Sequence, residues 1–389
     1  MRIMFVVPSI NLETGGTSKA TLTLARELVA KGQQVEIFTT CWPNLQMQTC
    51  CSIEQDGVPI RIFPATTLPG LGHVPYSRSL LRAVRNELDH FDFFLAASLW
   101  NPLISHTMML FRRYQVRYAV SPHGMLDPLV FARHRFLKSC WAAFWERRNV
   151  EEADLLIFNS QREEDKARTK GWHLRRSVVI PHSIDLSAGD VMPSANLLDL
   201  EYPALKGRKV VAFVGRINWV KNLDRLIAAI ALIRKTGVDV ALVCAGPDSD
   251  GYQKQLERIA EDLGIGSSVI FTGMLHGEKL RSVFARADIV SLVSRKENFG
   301  LSAAEALAAG VPVVLSDGVD MGEDWPTPPV WRVKQDERSI ANGILAALEY
   351  AHGAGTPVEA ARELAQREWG TSHSDRLIGS FESVLAGEC

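Results

Sequence analysis

Short apolar runs rich in β-branched residues alternate with amphipathic helices along this chain, and the alternation stops once and then starts again. Residues 3–8 read as a strand, and 17–31 as a helix with Ala20, Leu24, Ala25, Leu28 and Val29 on one face. Residues 34–40 read as the next strand. Strand, helix, strand in this order folds as a parallel pair joined by a right-handed crossover. The pattern continues with strands at 60–63, 91–97, 118–121, 155–159 and 178–180, and helices at 79–88, 102–113 and 161–170. Residues 186–203 have no apolar period and hold Ser, Gly, Pro and Asp, so they read as a linker. Beyond them a strand at 209–214 precedes a helix at 222–235, whose stripe is Leu223, Leu226, Ile227, Ile230 and Ile233. Further strands are expected at 238–245, 269–273, 288–293 and 311–315. Helices are expected at 252–263, 277–284, 301–309, 339–350, 358–369 and 374–385. A chain of 389 residues exceeds one ordinary core. The expected fold class is therefore α/β, with two doubly wound parallel-sheet domains facing a cleft.

Bulk composition narrows the function. Net charge is −1, which argues against a dedicated nucleic-acid binder. No apolar run reaches the length of a membrane-spanning helix. The N-terminal MRIMFVVPSI is expected to be a first strand and not a signal peptide, because no longer apolar region or small-residue cleavage site follows. Six cysteines, at 41, 50, 51, 140, 244 and 389, show neither metal-ligand nor disulfide-framework spacing, which suits a reducing cytoplasm.

The chemistry concentrates in 294–317, SRKENFGLSAAEALAAGVPVVLSD. Glu297 sits in a polar loop closed by Phe299-Gly300. A short Leu/Ala/Glu helix follows, stopped by Gly310 with Pro312 just beyond. Glu305 lies one turn inside that helix, where a carboxylate is costly without a partner. A helix N-terminus attracts anions, and acidic side chains around it suit a ligand carrying both phosphate and hydroxyls. The loop 215–221 places Arg216 and Lys221 at the mouth of another helix, a cationic setting for a diphosphate without a metal. Gly15-Gly16 follows the first strand, where a plain turn and close approach of a ligand are both open. His123 follows the strand at 118–121 within Pro122-His123-Gly124-Met125-Leu126-Asp127, the end of a strand where open α/β sheets bind ligands. Asp248-Ser249-Asp250 reads as a turn, and not as a metal site, from its Gly/Pro/Ser surroundings. Residues 131–150, FARHRFLKSCWAAFWERRNV, are expected to pack their aromatics on the sheet with the basic residues solvated; contact with a membrane surface is the other reading.

These segments together resemble the GT-B glycosyltransferases, specifically the GT4 group of retaining enzymes. The resemblance rests on GRINWVKNLDRLI, AGPDSDGY, VIFTGML and ENFGLSAAEALAAGVPVV, the last similar to the group's E-x7-E signature, and on the Gly-Gly loop and EEADLLIFNS in the first half. SPHGMLDP is similar to a subgroup of exopolysaccharide and lipopolysaccharide assembly. The resemblance implies a hexose transfer from a nucleotide-diphosphate sugar to a glycan or lipid-linked sugar acceptor, on the cytoplasmic side and with possible peripheral membrane contact, with no metal cofactor. By resemblance, Arg216 and Lys221 neutralise the donor diphosphate, and the Gly300 and Leu301 N–H groups reach phosphate. Glu305 binds the ribose, Glu297 the donor sugar with Asn298 and Phe299 beside it, and His123 the sugar from the first half. Gly15 and Gly16 let diphosphate and acceptor approach. The implied boundaries are an acceptor-side domain at 1–185 completed by 370–389, a linker at 186–204 and a donor domain at 205–369, with Trp369 marking the crossing. PHSID departs from the group's usual Asn-Gly at His182-Ser183, and Val293-Ser294-Arg295 from a common Pro-Ser. An epimerase or hydrolase acting on a nucleotide sugar, or a non-catalytic nucleotide-sugar-binding subunit, are the competing classes on this fold.

Overall fold

The computed structural model describes the chain except residues 12–15, 43–48, 68–73, 133–134, 187–191, 249–250, 354–356, 371–372 and 388–389, and the side chains of 131, 132 and 135. It divides into two compact units, Met1–Ser183 with Ser372–Cys389, and Ile184–Thr371.

In the first unit, β1 (Arg2–Val6), α1 (Gly16–Ala30) and β2 (Gln34–Thr40) form the expected parallel crossover. An antiparallel edge strand β3 (Cys51–Gln55) pairs with β4 (Val58–Phe63). A small ribbon, β5 (Thr66–Thr67) with β6 (Pro75–Tyr76), leads to α2 (Arg78–Asn86), β7 (Phe93–Ala97), α3 (Pro102–Arg113) and β8 (Tyr118–Ser121). Helical pieces α4 (Pro128–Ala132), α5 (Arg135–Trp141) and α6 (Arg147–Glu151) precede β9 (Leu155–Phe158), α7 (Gln161–Arg168) and β10 (Ser177–Val179). Between α5 and α6, Ala142–Glu146 is a π-helical turn. The sheet order is β10-β9-β8-β7-β1-β2-β4-β3.

Alternation along β1 divides the core. Met4 and Val6 join a cluster with Leu80, Leu103 and Phe111, while Ile3 and Phe5 join one with Leu22, Leu28 and Phe381. Parallel strands buried on both faces read as continuous apolar runs, which is why the sequence reports them clearly. Phe381 stacks on Phe93 with ring centroids 4.3 Å apart. Burying such a ring contributes about 1.5–3 kcal/mol and ties the C-terminal helix to this unit.

The second unit begins with a helix inside the stretch expected as linker. In order it contains α8 (Asn196–Glu201), β11 (Lys209–Val214), α9 (Leu223–Lys235), β12 (Val240–Ala245), α10 (Gln253–Asp262), β13 (Val269–Gly273), α11 (Gly277–Arg286) and β14 (Ile289–Leu292). Then come α12 (Leu301–Ala308), β15 (Val313–Ser316), β16 (Val330–Val333), α13 (Glu337–Ala351) and α14 (Pro357–Trp369); α15 (Ser374–Leu385) belongs to the first unit. Leu198 is buried in the second core and Tyr202 packs against it, so that part of 186–204 is packed structure and not free linker. The second sheet is wholly parallel, in the order β13-β12-β11-β14-β15-β16.

That order locates the site. From β11 the chain steps outward to β12 and β13, then returns to the other side of β11 as β14 and steps away. The point where the direction reverses lies between β11 and β14, which pair through Val211–Ile289 and Ala212–Val290. At such a switch point open α/β sheets bind ligands beyond the carboxyl ends of the strands. In the first unit the corresponding point lies between β1 and β7. Among the described residues no helix is long and apolar enough to cross a membrane.

Candidate functional site

The loops that follow β11 and β14 carry Lys221 and Glu297, and they are locked together. Asn218 turns the first loop by accepting from the Val220 N–H at 3.1 Å. Asn222, buried and left-handed at φ 59°, ends it just before α9. Arg295 on the second loop donates from Nε to Asn222 Oδ1 at 2.9 Å and from Nη2 to Asp224 Oδ2 at 2.7 Å. Its own N–H donates to the Val220 carbonyl at 2.8 Å. The Asn222 amide donates on to Gln335 O at 3.2 Å. Arg295 therefore works as a clamp between the loops, and its guanidinium is committed to protein groups.

With the loops held, Lys221 Nζ donates to Glu297 Oε2 in a short ion pair, the two side chains 17% and 20% exposed. The Glu297 N–H donates to the Gly318 carbonyl at 2.8 Å, and its carbonyl accepts from Asp320 N at 2.9 Å, which pins its backbone. Arg216 is exposed and makes no ion pair among the described residues. Gly300 caps α12 in the left-handed region at φ 93°, and no side chain caps the helix. A Cβ at Gly300 would lie 2.8 Å from Leu292 Cδ2, so the close turn requires glycine. First-turn N–H groups left without a side-chain cap are anion donors. Glu305 lies half-buried one turn along, between buried Ala304 and Ala306. The side-chain Oδ1 of Asn298 is buried with no hydrogen-bond partner. The Phe299 side chain is 4% exposed and packs edge-on to Trp369 at 6.3 Å, which anchors the loop from the core. The two loops and α12 thus carry two cations, a helix N-terminus and two carboxylates, the groups that a diphosphate joined to polyols needs.

In the first unit, His123 follows β8 with φ 49°. The turn is held by buried Glu163, which accepts from Gly124 N at 2.5 Å and Asn159 N at 2.7 Å. The His123 and His182 ring centroids are 5.4 Å apart. Both line a small cavity of about 30 Å³ with Thr21, Ser121, Asn159 and Ser183. His123 Nδ1 is buried with no hydrogen-bond partner. Gly15 lies outside the described residues; Gly16 is the first residue of α1. Ser249 and Asp250 also lie outside them, while Asp248 Oδ1 accepts from Tyr252 N at 2.9 Å, an ordinary turn bond.

Comparison with known proteins gives this geometry a family. Residues 15–182 match the glycosyl transferase 4-like domain and 200–349 match glycosyl transferases group 1. The chain is a GT-B glycosyltransferase. It is similar to the D-inositol 3-phosphate glycosyltransferases of Mycolicibacterium smegmatis, at 28% identity over 92% of this chain and 80% of the relative, and of Mycobacteroides abscessus, at 29% over 96% and 86%. Among solved structures, HepE of Anabaena in complex with UDP and glucose superposes with a TM-score of 0.78 at 19% identity, covering 98% of this chain and 99% of that one. A trehalose-6-phosphate enzyme of E. coli bound with UDP-2-fluoro glucose superposes with a TM-score of 0.73 at 16% identity, over 98% and 99%.

Reading the sequence of this glycosyltransferase did not anticipate its supporting groups. Arg295, Asn222, Asp224 and Gln335 meet over long sequence separations, so no local pattern signals them. Glu163 did carry a signal: Ser160 and Glu163 have the spacing of a capping box. Ser160 Oγ accepts from Glu163 N at 3.1 Å as expected, but the glutamate side chain turns to Gly124 and Asn159.

The histidine pair makes the glycosyltransferase sensitive to acid. Burial pulls the His123 imidazole down to about 4. Burial and the charge of His123 hold His182 well below the usual range. The unfolded chain binds a proton at each near pH 6.5, while the folded chain resists. The stability they contribute is therefore full above about pH 6.5 and is lost as pH falls toward 4. For His123 alone the loss across that window is on the order of 2–3 kcal/mol. The variant His123→Asn, which tolerates the left-handed backbone, is expected to flatten this limb in urea titrations between pH 4 and 7. An unchanged slope would contradict the assignment.

Proposed function

We propose that the glycosyltransferase moves a hexosyl group from a nucleoside-diphosphate sugar to an acceptor hydroxyl with retention at the anomeric carbon. The observation that carries this is the Lys221–Glu297 pair, held beside the uncapped N-terminus of α12 at the switch point of the second sheet. Arg216 and Lys221 neutralise the diphosphate, while the Gly300 and Leu301 N–H groups take a phosphate oxygen. Diphosphate binding draws Lys221 away and frees the Glu297 carboxylate for the hydroxyls of the sugar. Glu305 accepts from the ribose hydroxyls. His123, neutral at pH 7, hydrogen-bonds the transferred sugar, and Gly15 and Gly16 leave room for the reactants. In the reaction the C1–O bond to the β-phosphate breaks, and the acceptor oxygen bonds to C1 on the same face. The acceptor proton passes to a phosphate oxygen of the departing nucleoside diphosphate. The cations and helix N–H groups stabilise the charge developing on that leaving group, the electrostatic role that a metal serves elsewhere.

The UDP and UDP-glucose named for structural neighbours support a UDP-hexose donor. For the acceptor, SPHGMLDP supports a glycan or lipid-linked glycan of cell-surface polysaccharide synthesis on the cytoplasmic face. The names of the sequence relatives favour a second reading, an inositol phosphate or sugar phosphate. A thermal-shift screen of UDP-, GDP- and ADP-sugars is expected to single out one base, because a ligand that binds only the folded state raises Tm. With that donor, transfer to lipid-linked glycans and to inositol phosphate separates the two acceptor readings. Proton NMR of the product is expected to show the donor's anomeric configuration. Nucleoside diphosphate release with no acceptor-dependent product would overturn transfer. The rate is expected to be unchanged in excess EDTA, and a rate abolished by EDTA and restored by a divalent cation would overturn the metal-free reading.

A further inference from the structure

The helical segment between β8 and β9 is inside out. Its buried face holds Ala142, Glu146, Asn149 and Val150, and its exposed side carries Phe136, Leu137, Phe144 and Trp145. Phe136 is 85% exposed and Phe144 74%. Phe136, Phe144 and Trp145, expected to pack on the sheet, point outward instead, while half-buried Trp141 donates from Nε1 to Ser105 Oγ at 3.1 Å. A buried polar group beside exposed large apolar ones is the informative departure from ordinary packing.

The inversion is built in. Glu146 accepts from the Trp100 N–H at 2.6 Å and from Ser105 Oγ at 2.7 Å. Asn149 accepts from Arg112 Nη1 at 3.0 Å and donates to Ser105 O at 3.1 Å. These bonds fix the rotation of the helix, and the π-helical turn falls on Ala142–Glu146 itself. The outward aromatics cluster, Phe144 and Trp145 at 5.8 Å between centroids and Trp141 and Trp145 at 5.2 Å.

Charge identifies the occupant. Five of residues 131–150 are Lys or Arg, of which Arg147 and Arg148 pair with Glu151 and Glu152; the one acidic residue within the stretch is Glu146, in a chain of net charge −1. That acidic residue is buried and hydrogen-bonded. Beside Phe144 and Trp145 opens a groove of about 690 Å³ lined by Arg82, Arg85 and Arg113, with Glu152 holding Arg112 and Arg148 in ion pairs at its wall. Helix α2 supplies Arg78, Arg82 and Arg85 with no acidic residue between them. Exposed aromatic side chains beside arginines match the boundary between lipid headgroups and acyl chains, where rings sit at the interface and cations meet lipid phosphate.

We propose that this face docks the protein on an anionic bilayer surface, with Phe136, Phe144 and Trp145 inserted at headgroup depth and the α2 arginines against lipid phosphates. The inference is independent of the transfer reaction, since it is read without donor or acceptor. Flotation with phosphatidylcholine vesicles, with and without phosphatidylglycerol, tests it on the full chain. Wild type is expected to float only with the phosphatidylglycerol vesicles and to be released by high salt. Phe144→Ser/Trp145→Ser and Arg82→Glu/Arg85→Glu are each expected to bind at least about tenfold more weakly. All four positions are surface-facing, so far-UV circular dichroism should match wild type. No flotation of wild type, equal binding to neutral vesicles, or wild-type binding by both variants would overturn the proposal. A wild-type dimer that both variants dissociate, with no flotation, would overturn it in favour of a second copy of the chain.

Discussion

Lys221→Ala is expected to lower kcat by about 10²- to 10³-fold, the loss seen when one preorganised group that stabilises developing charge is removed. Lys221 sits on a loop fixed at both ends, by Asn218 and by buried left-handed Asn222. Arg295 ties that loop to the one carrying Glu297. The ammonium is thus placed before the donor arrives, and leaving-group stabilisation depends on that placement. The effect on stability is expected to be small. A partly solvated pair contributes about 0–1 kcal/mol, so Tm should move by only a few degrees. Lys221→Arg is expected to recover part of the rate, since the charge stays while its position shifts. Steady-state rates at saturating donor, with melting curves alongside, check this. Wild-type kcat in Lys221→Ala would remove Lys221 from the reaction.

Gly246→Ala is expected to destabilise the protein by more than about 4 kcal/mol or to prevent folding, a rare size of effect for one methyl group. Gly246 stands at the end of β12 with φ 151°, where its N–H donates to Gly273 O at 2.9 Å. A Cβ there would lie 2.0 Å from the Gly215 carbonyl oxygen and 2.7 Å from its carbon. Those atoms are backbone, so no rotamer change relieves the clash. Gly215 in turn leads the loop that carries Arg216 and Lys221, so relief by backbone movement displaces the cations. Gly237→Ala is the control. Its φ is +91°, but nothing lies within 4 Å of the added carbon. It should cost only the left-handed strain, about 1–2 kcal/mol. Urea denaturation distinguishes the two, and equal losses would show that the close contact between the β11 and β12 loops is not what matters.

The contrast between these residues explains what the sequence could show. Strands such as Lys209–Val214 and Val240–Ala245 were legible because a parallel strand buried on both faces must be apolar along its length. β3 was not: its residues Cys51 to Glu54 are all exposed, and pairing with β4 makes it a strand. Lys221, Glu297 and the start of α12 lie in short segments with their own signals of charge, glycine and helix onset. The clamp that aligns them does not, because Arg295 reaches partners 73 and 71 residues away. The inverted helix misled for the same reason. The partners that bury Glu146, Trp100 and Ser105, are 46 and 41 residues distant. Without them, the ordinary expectation turns the aromatics inward.

The central claim is that the nucleotide sugar binds at the carboxyl ends of β11 and β14, against Lys221 and the start of α12. Titration calorimetry with the preferred nucleoside diphosphate tests it most directly, since neither acceptor nor turnover is needed. Wild type is expected to bind one-to-one. Glu305→Gln and Lys221→Ala should each weaken binding by about tenfold or more, the worth of a hydrogen bond to a charged group. Nucleotide binding that both variants leave at wild-type strength would place the donor elsewhere and contradict the account.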